Sequence, residues 1–430
     1  MHLSNTSDVD GSKGVPSNPE SHMFGLPIVG GTGGLLLWHT VVEDKTLRFA
    51  KQKLLDGRST LLIGEHSSSL ACLATRFALE FNEDADSRDL SCKQVERHMR
   101  LCLAATTGFR KLVTCSASEP LLAEAAFEIL HHSDASSVHH LANHANLYCV
   151  DRGRRGELVA ALIIMQARDA ALPTTLHRRR WVTVAEFMQS LLPVSAYDTL
   201  INSLPTLWHV GEDIPFGQTF ENYRLWFNHV IKVEDSKVIR AEFLWKYITR
   251  GAMIVCKDNQ LGVDIILPIC FMDGNLSRHT VSAIYIQVKN AEDYKLKVDK
   301  TLFDAMNPQH LLGTLSNHPR PIIRIVFALA SPEAGVSFPL PPERPPHHPA
   351  MFTTFDVWCA GLSTKTFQQI GSDLESYRTL LDRSLKPHDV FELKEADYRH
   401  LSNETKVERE NLRRNMAPLI MFSGHDGIHQ

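Results

Sequence analysis

The sequence predicts an α/β protein, on three observations. Between Ala252 and Leu329 four Val- and Ile-rich runs of strand length alternate with turn residues. Segments with apolar residues at helical spacing stand on either side of them. A composition of 43% hydrophobic and 22% charged residues is that of a folded chain, which excludes a wholly disordered, collagenous or coiled-coil protein. At 430 residues the chain has length for two or three folded units.

The elements follow in order. Residues 1–45 read as a disordered leader, since Met1 to about Met23 is mostly Ser, Asn, Asp, Gly and Pro and offers little apolar surface to offset the entropy of ordering. Residues 46–150 read as an α-helical N-terminal region, with helical periodicity in Ser69 to Phe81, Val95 to Ala105 and Leu121 to Leu130. A second unit, 151–330, opens on the helical stretch Gly156 to Ala171, where Leu158, Leu162 and Met165 form one stripe. A helical insertion at 172–250 follows, with helices expected at Tyr223 to Val233 and Val238 to Thr249. Then come strands at Ala252 to Cys256, Val263 to Phe271 and Val281 to Val288, a helix near Tyr294 to Met306 and a strand at Ile322 to Leu329. The core order is therefore α, β, β, β, α, β. Seven prolines between Pro332 and Pro349 predict an extended loop over 331–350. Residues 351–430 are expected to hold a final strand at Thr353 to Cys359 and a charged helical tail.

Charge and cysteine usage narrow the function classes. Forty-five Lys and Arg against 49 Asp and Glu give a formal charge of −4, so any nucleic-acid site is local rather than a basic surface. Eight cysteines, widely spaced and without a C-x-x-C pair, suit a reducing compartment. With no apolar signal region and no apolar run near ~20 residues, the expected location is intracellular, nucleus or cytoplasm, with no membrane partner.

The strongest chemical pattern lies in the strands. Asp264 follows Gly262 and Val263 at a strand start, and the next strand reads Ile284-Tyr285-Ile286-Gln287-Val288-Lys289. Side chains alternate along a strand, so Gln287 and Lys289 share one face, and a neighbouring antiparallel strand brings the Asp264 carboxylate within reach. A carboxylate and an amide oxygen suit a hard cation such as Mg²⁺, which takes oxygen ligands and keeps several waters. An adjacent ammonium suits a developing negative charge or an attacking water. The bland alternative is turn chemistry for Asp264 and an edge-guarding role for Lys289.

On Gly262-Val263-Asp264, Gln287-Val288-Lys289 and the α-β-β-β-α-β order, the stretch from Arg154 to Leu329 resembles the PD-(D/E)XK nuclease superfamily. The variant is the one with Gln in the E-x-K signature, as in Mrr-type restriction enzymes. The resemblance implies a restriction-endonuclease-like mixed sheet flanked by helices, and Mg²⁺-dependent cleavage of nucleic acid, with DNA expected ahead of RNA and the choice between them left open. It also implies metal binding by Asp264 and Gln287, a catalytic role for Lys289, and an acid on the helix before the first strand. Arg155-Gly156-Glu157-Leu158-Val159 looks like that helix start, making Glu157 the candidate; the insertion leaves Glu242, on the helix directly before the strand, as a rival. The whole chain further resembles a set of uncharacterised fungal proteins, some related to Crinkler-type nuclease modules. The alternative function is a catalytically inactive nuclease-fold protein that binds nucleic acid or a protein.

Arg154, Arg155 and Lys295 stand near these motifs and are the candidate phosphate contacts. Arg152, Arg178, Arg179, Arg180, Lys297 and Lys300 are nearby in sequence. The cluster of His131, His132, His139, His140, His144 and Cys149 lacks the companion cysteines of a zinc site and reads as a solvated connector. Gly30-Gly31-Thr32-Gly33-Gly34 lacks the G-K-[ST] ending of a phosphate loop and reads as a linker.

Overall fold

A computed structural model describes residues 44–61, 66–81, 85–106, 112–133, 136–144, 152–172, 181–208, 213–257, 260–272, 276–312, 320–339 and 352–385. The leader, the tail beyond Leu385, the Gly30–Gly34 run, Arg178–Arg180, Cys149 and most of the Pro-rich loop lie outside these residues. The described residues from 44 to 384 belong to one compact unit, which includes both the N-terminal helices and the sheet.

The described residues begin with helices α1 (Asp44–Leu54), α2 (His66–Phe77) and α3 (Ala85–Arg97). The predicted helix over Val95 to Ala105 does not form as such. Helix α3 ends at Arg97 because Met99 takes a left-handed conformation (φ 62°) and the Arg100 N–H returns to the Gln94 carbonyl at 3.2 Å. The chain then turns into a hairpin of β1 (Leu101–Ala105) and β2 (Leu112–Cys115). The Arg100 guanidinium holds it by binding Thr114, Ser116 and the Leu79 carbonyl. Helices α4 (Pro120–His131), α5 (Ser137–His144) and α6 (Arg152–Ala171) complete this part.

Next come β3 (Val182–Thr183), α7 (Val184–Leu191), α8 (Val194–Ile201), α9 (Phe216–Thr219), β4 (Tyr223–Leu225), β5 (His229–Lys232) and α10 (Ala241–Thr249). The expected helical insertion at 172–250 is thus corrected: three of its segments are strands of the main sheet. The expected helix at Tyr223 to Val233 is β4 and β5. Tyr223 and Leu225 are buried on alternate positions, and Val230 and Ile231 pair with β6. Pairing with distant edges, invisible in a local period, decides the matter.

The strands β6 (Ala252–Val255), β7 (Ile265–Phe271), β8 (Val281–Lys289), β9 (Ile322–Ala328) and β11 (Thr354–Ala360) fall where the sequence puts them, and β10 (Gly335–Ser337) pairs with β11 inside the expected Pro-rich loop. Between β8 and β9 the expected helix at Tyr294 to Met306 shrinks to α11 (Lys300–Ala305), started by the Asp299 carboxylate accepting from Thr301 N–H; α12 (Pro308–Leu312) comes after it. Helix α13 (Leu374–Leu385) closes the described chain.

The fold is mixed α/β. Among the described residues β6 to β9 form the middle of a 9-stranded sheet, in which β7 runs antiparallel to β6 and β8, and β9 parallel to β8 and β11. Strand β7 shares one edge between two partners, β6 at Ile265 and Ile266 and β4 at Ile269 to Phe271. One sheet face packs Ile254, Ile266, Tyr285, Val326 and Trp358 against Leu244 and Ile248 of α10 and Phe303 of α11. Val255, of opposite parity, lines a cleft with Leu158 and Ala161 of α6, which therefore covers the other face. No described helix is long and apolar enough to cross a membrane.

Candidate active site

The site lies where β6 ends, β7 begins and β8 ends. Gly262 takes φ +79°, and a Cβ there would lie 2.1 Å from the Ala305 carbonyl oxygen, so only glycine permits this approach of the turn to α11. The turn delivers Asp264 between two strands. Its N–H donates to the Ile286 carbonyl (3.0 Å) and its carbonyl accepts from Cys256 N–H (2.8 Å). Its carboxylate accepts from Val288 N–H at 2.6 Å, midway along the chain between Gln287 and Lys289.

Burial raises the Asp264 carboxyl above the usual carboxylate range, while the Val288 hydrogen bond and the Lys289 ammonium pull it back down. Gln287 is 6% exposed, and its Oε1 has no hydrogen-bond partner among the described residues. A buried amide oxygen left without a donor is unfavourable by about 1–3 kcal/mol, which makes it a candidate ligand atom. Lys289 is half-buried at the strand end.

Glu157 sits in the first turns of α6 and lines the cleft with Leu158, Val255, Lys232 and Phe77. Both Asp264 and Glu157 act electrostatically on the Cys256 thiol, which burial and these two charges push well above its ordinary range. The structure thus ties the Asp264 carboxylate to the end of β8 that carries Gln287 and Lys289, whose parity is that of Tyr285 on the α10 face, while Glu157 stands beside Val255 on the α6 side of the sheet. Glu242 is exposed in the first turn of α10, the helix on the sheet face opposite α6. Lys295 is exposed in the segment after β8, its carbonyl accepting from Trp358 Nε1. Arg154 and Arg155 belong to the first turn of α6, and their side chains lie outside the described residues.

Among the described residues no three His, Cys, Asp or Glu side chains converge as a metal group. The oxygen types available, a carboxylate and an unpartnered amide oxygen, are those of a hard cation that keeps most of its water. They do not fit zinc, which favours His and Cys donors.

A second polar chain joins the segment before α4 to β5. Asn228 Nδ2 donates to the Pro120 carbonyl and the Glu124 carboxylate, so its Oδ1 accepts from His229 Nδ1–H at 2.8 Å. His229 Nε2 then accepts from the Ser118 hydroxyl at 2.8 Å. The order resembles a hydrolytic relay, but burial, with Arg250 and Arg76 nearby, lowers the imidazole to about 3. That makes it a weak base toward the Ser118 hydroxyl, and its two hydrogen bonds link the segment before α4 to β5.

Sequence reasoning missed Cys256, Lys232, Asn290 and the cleft. Asn290 was legible only as the residue after Lys289.

Residues 64–309, more than half of the chain, match the family model described as Domain of unknown function (DUF8736). The chain belongs to this family. Comparisons with curated proteins and with solved structures give no match. The matched span contains Glu157, Asp264, Gln287, Lys289 and Lys295 and stops before β9.

Proposed function

We propose that this protein hydrolyses phosphodiester bonds of nucleic acid, DNA in the first instance, with a divalent cation such as Mg²⁺. The observation that carries the reading is the Asp264 carboxylate bonded to the Val288 amide within the field of Lys289, one residue along β8 from Gln287, whose buried Oε1 has no hydrogen-bond partner among the described residues. The α-β-β-β-α-β order of α6, β6, β7, β8, α11 and β9 supports a restriction-endonuclease-like core around it.

In this reading Asp264 and Gln287 hold the cation through oxygen, and Glu157 assists. When bound, the ion neutralises phosphoryl charge and acidifies a water. Lys289 orients the attacking water or donates to the charge that develops on the phosphate. The Lys289 ammonium favours the ionised form of the Asp264 carboxyl that burial opposes. Arg154, Arg155 and Lys295 neutralise flanking phosphates, which makes binding fall with salt.

The test is Mg²⁺-dependent cleavage of single- and double-stranded DNA and of RNA by the full chain. Asp264→Ala and Lys289→Ala are each expected to lose at least ~100-fold of the rate, with circular dichroism unchanged. Undiminished cleavage by either variant removes that residue from the site. One observation favours a second reading, an inactive nuclease-fold module that binds nucleic acid or a protein: Gln287 is uncharged and buried, where a Glu would bring a further negative charge. Binding without cutting in both Mg²⁺ and Mn²⁺ would select that reading.

A further inference from the structure

Helix α6 carries a glycine in the turn before Glu157, an unfavourable residue in a helix unless space demands it. Gly156 is buried and has no left-handed φ, so the backbone conformation does not require glycine. Space does. A Cβ at Gly156 would lie 1.7 Å from Asn290 Nδ2, 2.5 Å from its Cγ and 2.6 Å from its Oδ1, so the whole carboxamide is pressed against the helix backbone. Asn290 directly follows Lys289, at the end of the strand that carries Gln287. Its Oδ1 is buried and has no hydrogen-bond partner among the described residues. A carbonyl oxygen kept in so poor an environment for stability marks a position chosen for placement.

We propose that Asn290 is a positioning residue, which sets Glu157 relative to Asp264 and Gln287 by seating its carboxamide on Gly156. The contact is a direct link between the strand end bearing Gln287 and Lys289 and the helix turn bearing Glu157. Asn290 acts through Glu157, and touches neither cation nor substrate. This role rests on the nuclease reading of the site, and the test separates the two.

The experiment measures Mn²⁺ affinity of the full chain by titration calorimetry, together with thermal melting. In the wild-type background Asn290→Ala is expected to weaken Mn²⁺ binding by about tenfold, the scale for a residue that orients a ligand. In the Glu157→Gln background the same change is expected to alter affinity less than about twofold, because the group being positioned is already lost. A merely structural role would lower the melting temperature alike in both backgrounds and leave this difference absent. Gly156→Ala should also weaken binding, and should have no further effect once Asn290 is alanine. Equal loss of affinity in both backgrounds, or no loss in the wild type, overturns the role of Asn290 alone. A wild type that binds no Mn²⁺ overturns the nuclease reading and the role of Asn290 with it.

Discussion

The Asp264 carboxylate takes the N–H of Val288, the residue between Gln287 and Lys289, at 2.6 Å. An acid on β7's leading turn thereby becomes part of the end of β8. The Lys289 charge favours the ionised carboxyl and burial opposes it. Replacing Lys289 by Met should therefore push the Asp264 pKa further up. In a titration of Mn²⁺ binding against pH, the acid limb of the Lys289→Met variant should move to higher pH than that of the wild type. An unmoved limb would mean that Lys289 does not act on Asp264.

The same carboxyl bears on stability. Its folded pKa is raised above the unfolded value, so its favourable contribution is complete at low pH and is lost as pH rises through the folded pKa. Asp264→Asn keeps an acceptor for the Val288 N–H and removes the buried charge. That variant should melt no lower than the wild type at pH 7 while losing cleavage. A marked fall in its melting temperature would contradict this assignment of the charge.

Gly262 combines a left-handed φ of +79° with a backbone approach that would leave a Cβ only 2.1 Å from the Ala305 carbonyl oxygen. Gly262→Ala adds both backbone strain and a collision with main chain. Urea denaturation should report a loss of at least about 2 kcal/mol.

Arg324 and Asp356 lie side by side on β9 and β11 and form a two-pronged ion pair, at 2.7 and 2.6 Å, buried on both sides. Arg324 also donates to the Phe303 carbonyl, fastening α11 to the sheet. Removing one partner, as in Asp356→Ala, leaves a buried charge and should cost about 3–5 kcal/mol in denaturant unfolding. Arg324→Met with Asp356→Leu should recover much of that loss.

His229 gives a pH signature of its own. Its pKa is lowered to about 3, below the unfolded value, so the folded protein binds fewer protons. Stability is intact above about pH 6.5 and declines as pH falls toward 3, by up to about 1.4 kcal/mol per pH unit for one proton. His229→Gln should flatten this decline in acid denaturation curves; an equal slope in the variant would assign the protons elsewhere.

Much of the β-rich half was legible in the chain because β6, β7, β8, β9 and β11 are buried runs whose apolar content and turn residues are local signals. The Gln287–Lys289 alternation follows from strand geometry alone, and so does their shared face. The misleading signals were local too. Tyr223 to Val233 carries a period that suits a helix, yet β4 and β5 are strands because β7 and β6 offer them open edges. Hairpin β1–β2 was hidden because it begins at one residue, Met99, whose left-handed backbone no side chain announces.

The sequence by itself determined the residue types at the strand ends and the alternation that aims them. Only the tertiary structure decided that the Asp264 carboxylate bonds β8 and that Asn290 rests on Gly156. The physical reason is range. Alternation and turn chemistry act over a few residues, whereas Gly156 and Asn290, far apart along the chain, are brought together only by the packing of a helix on a sheet.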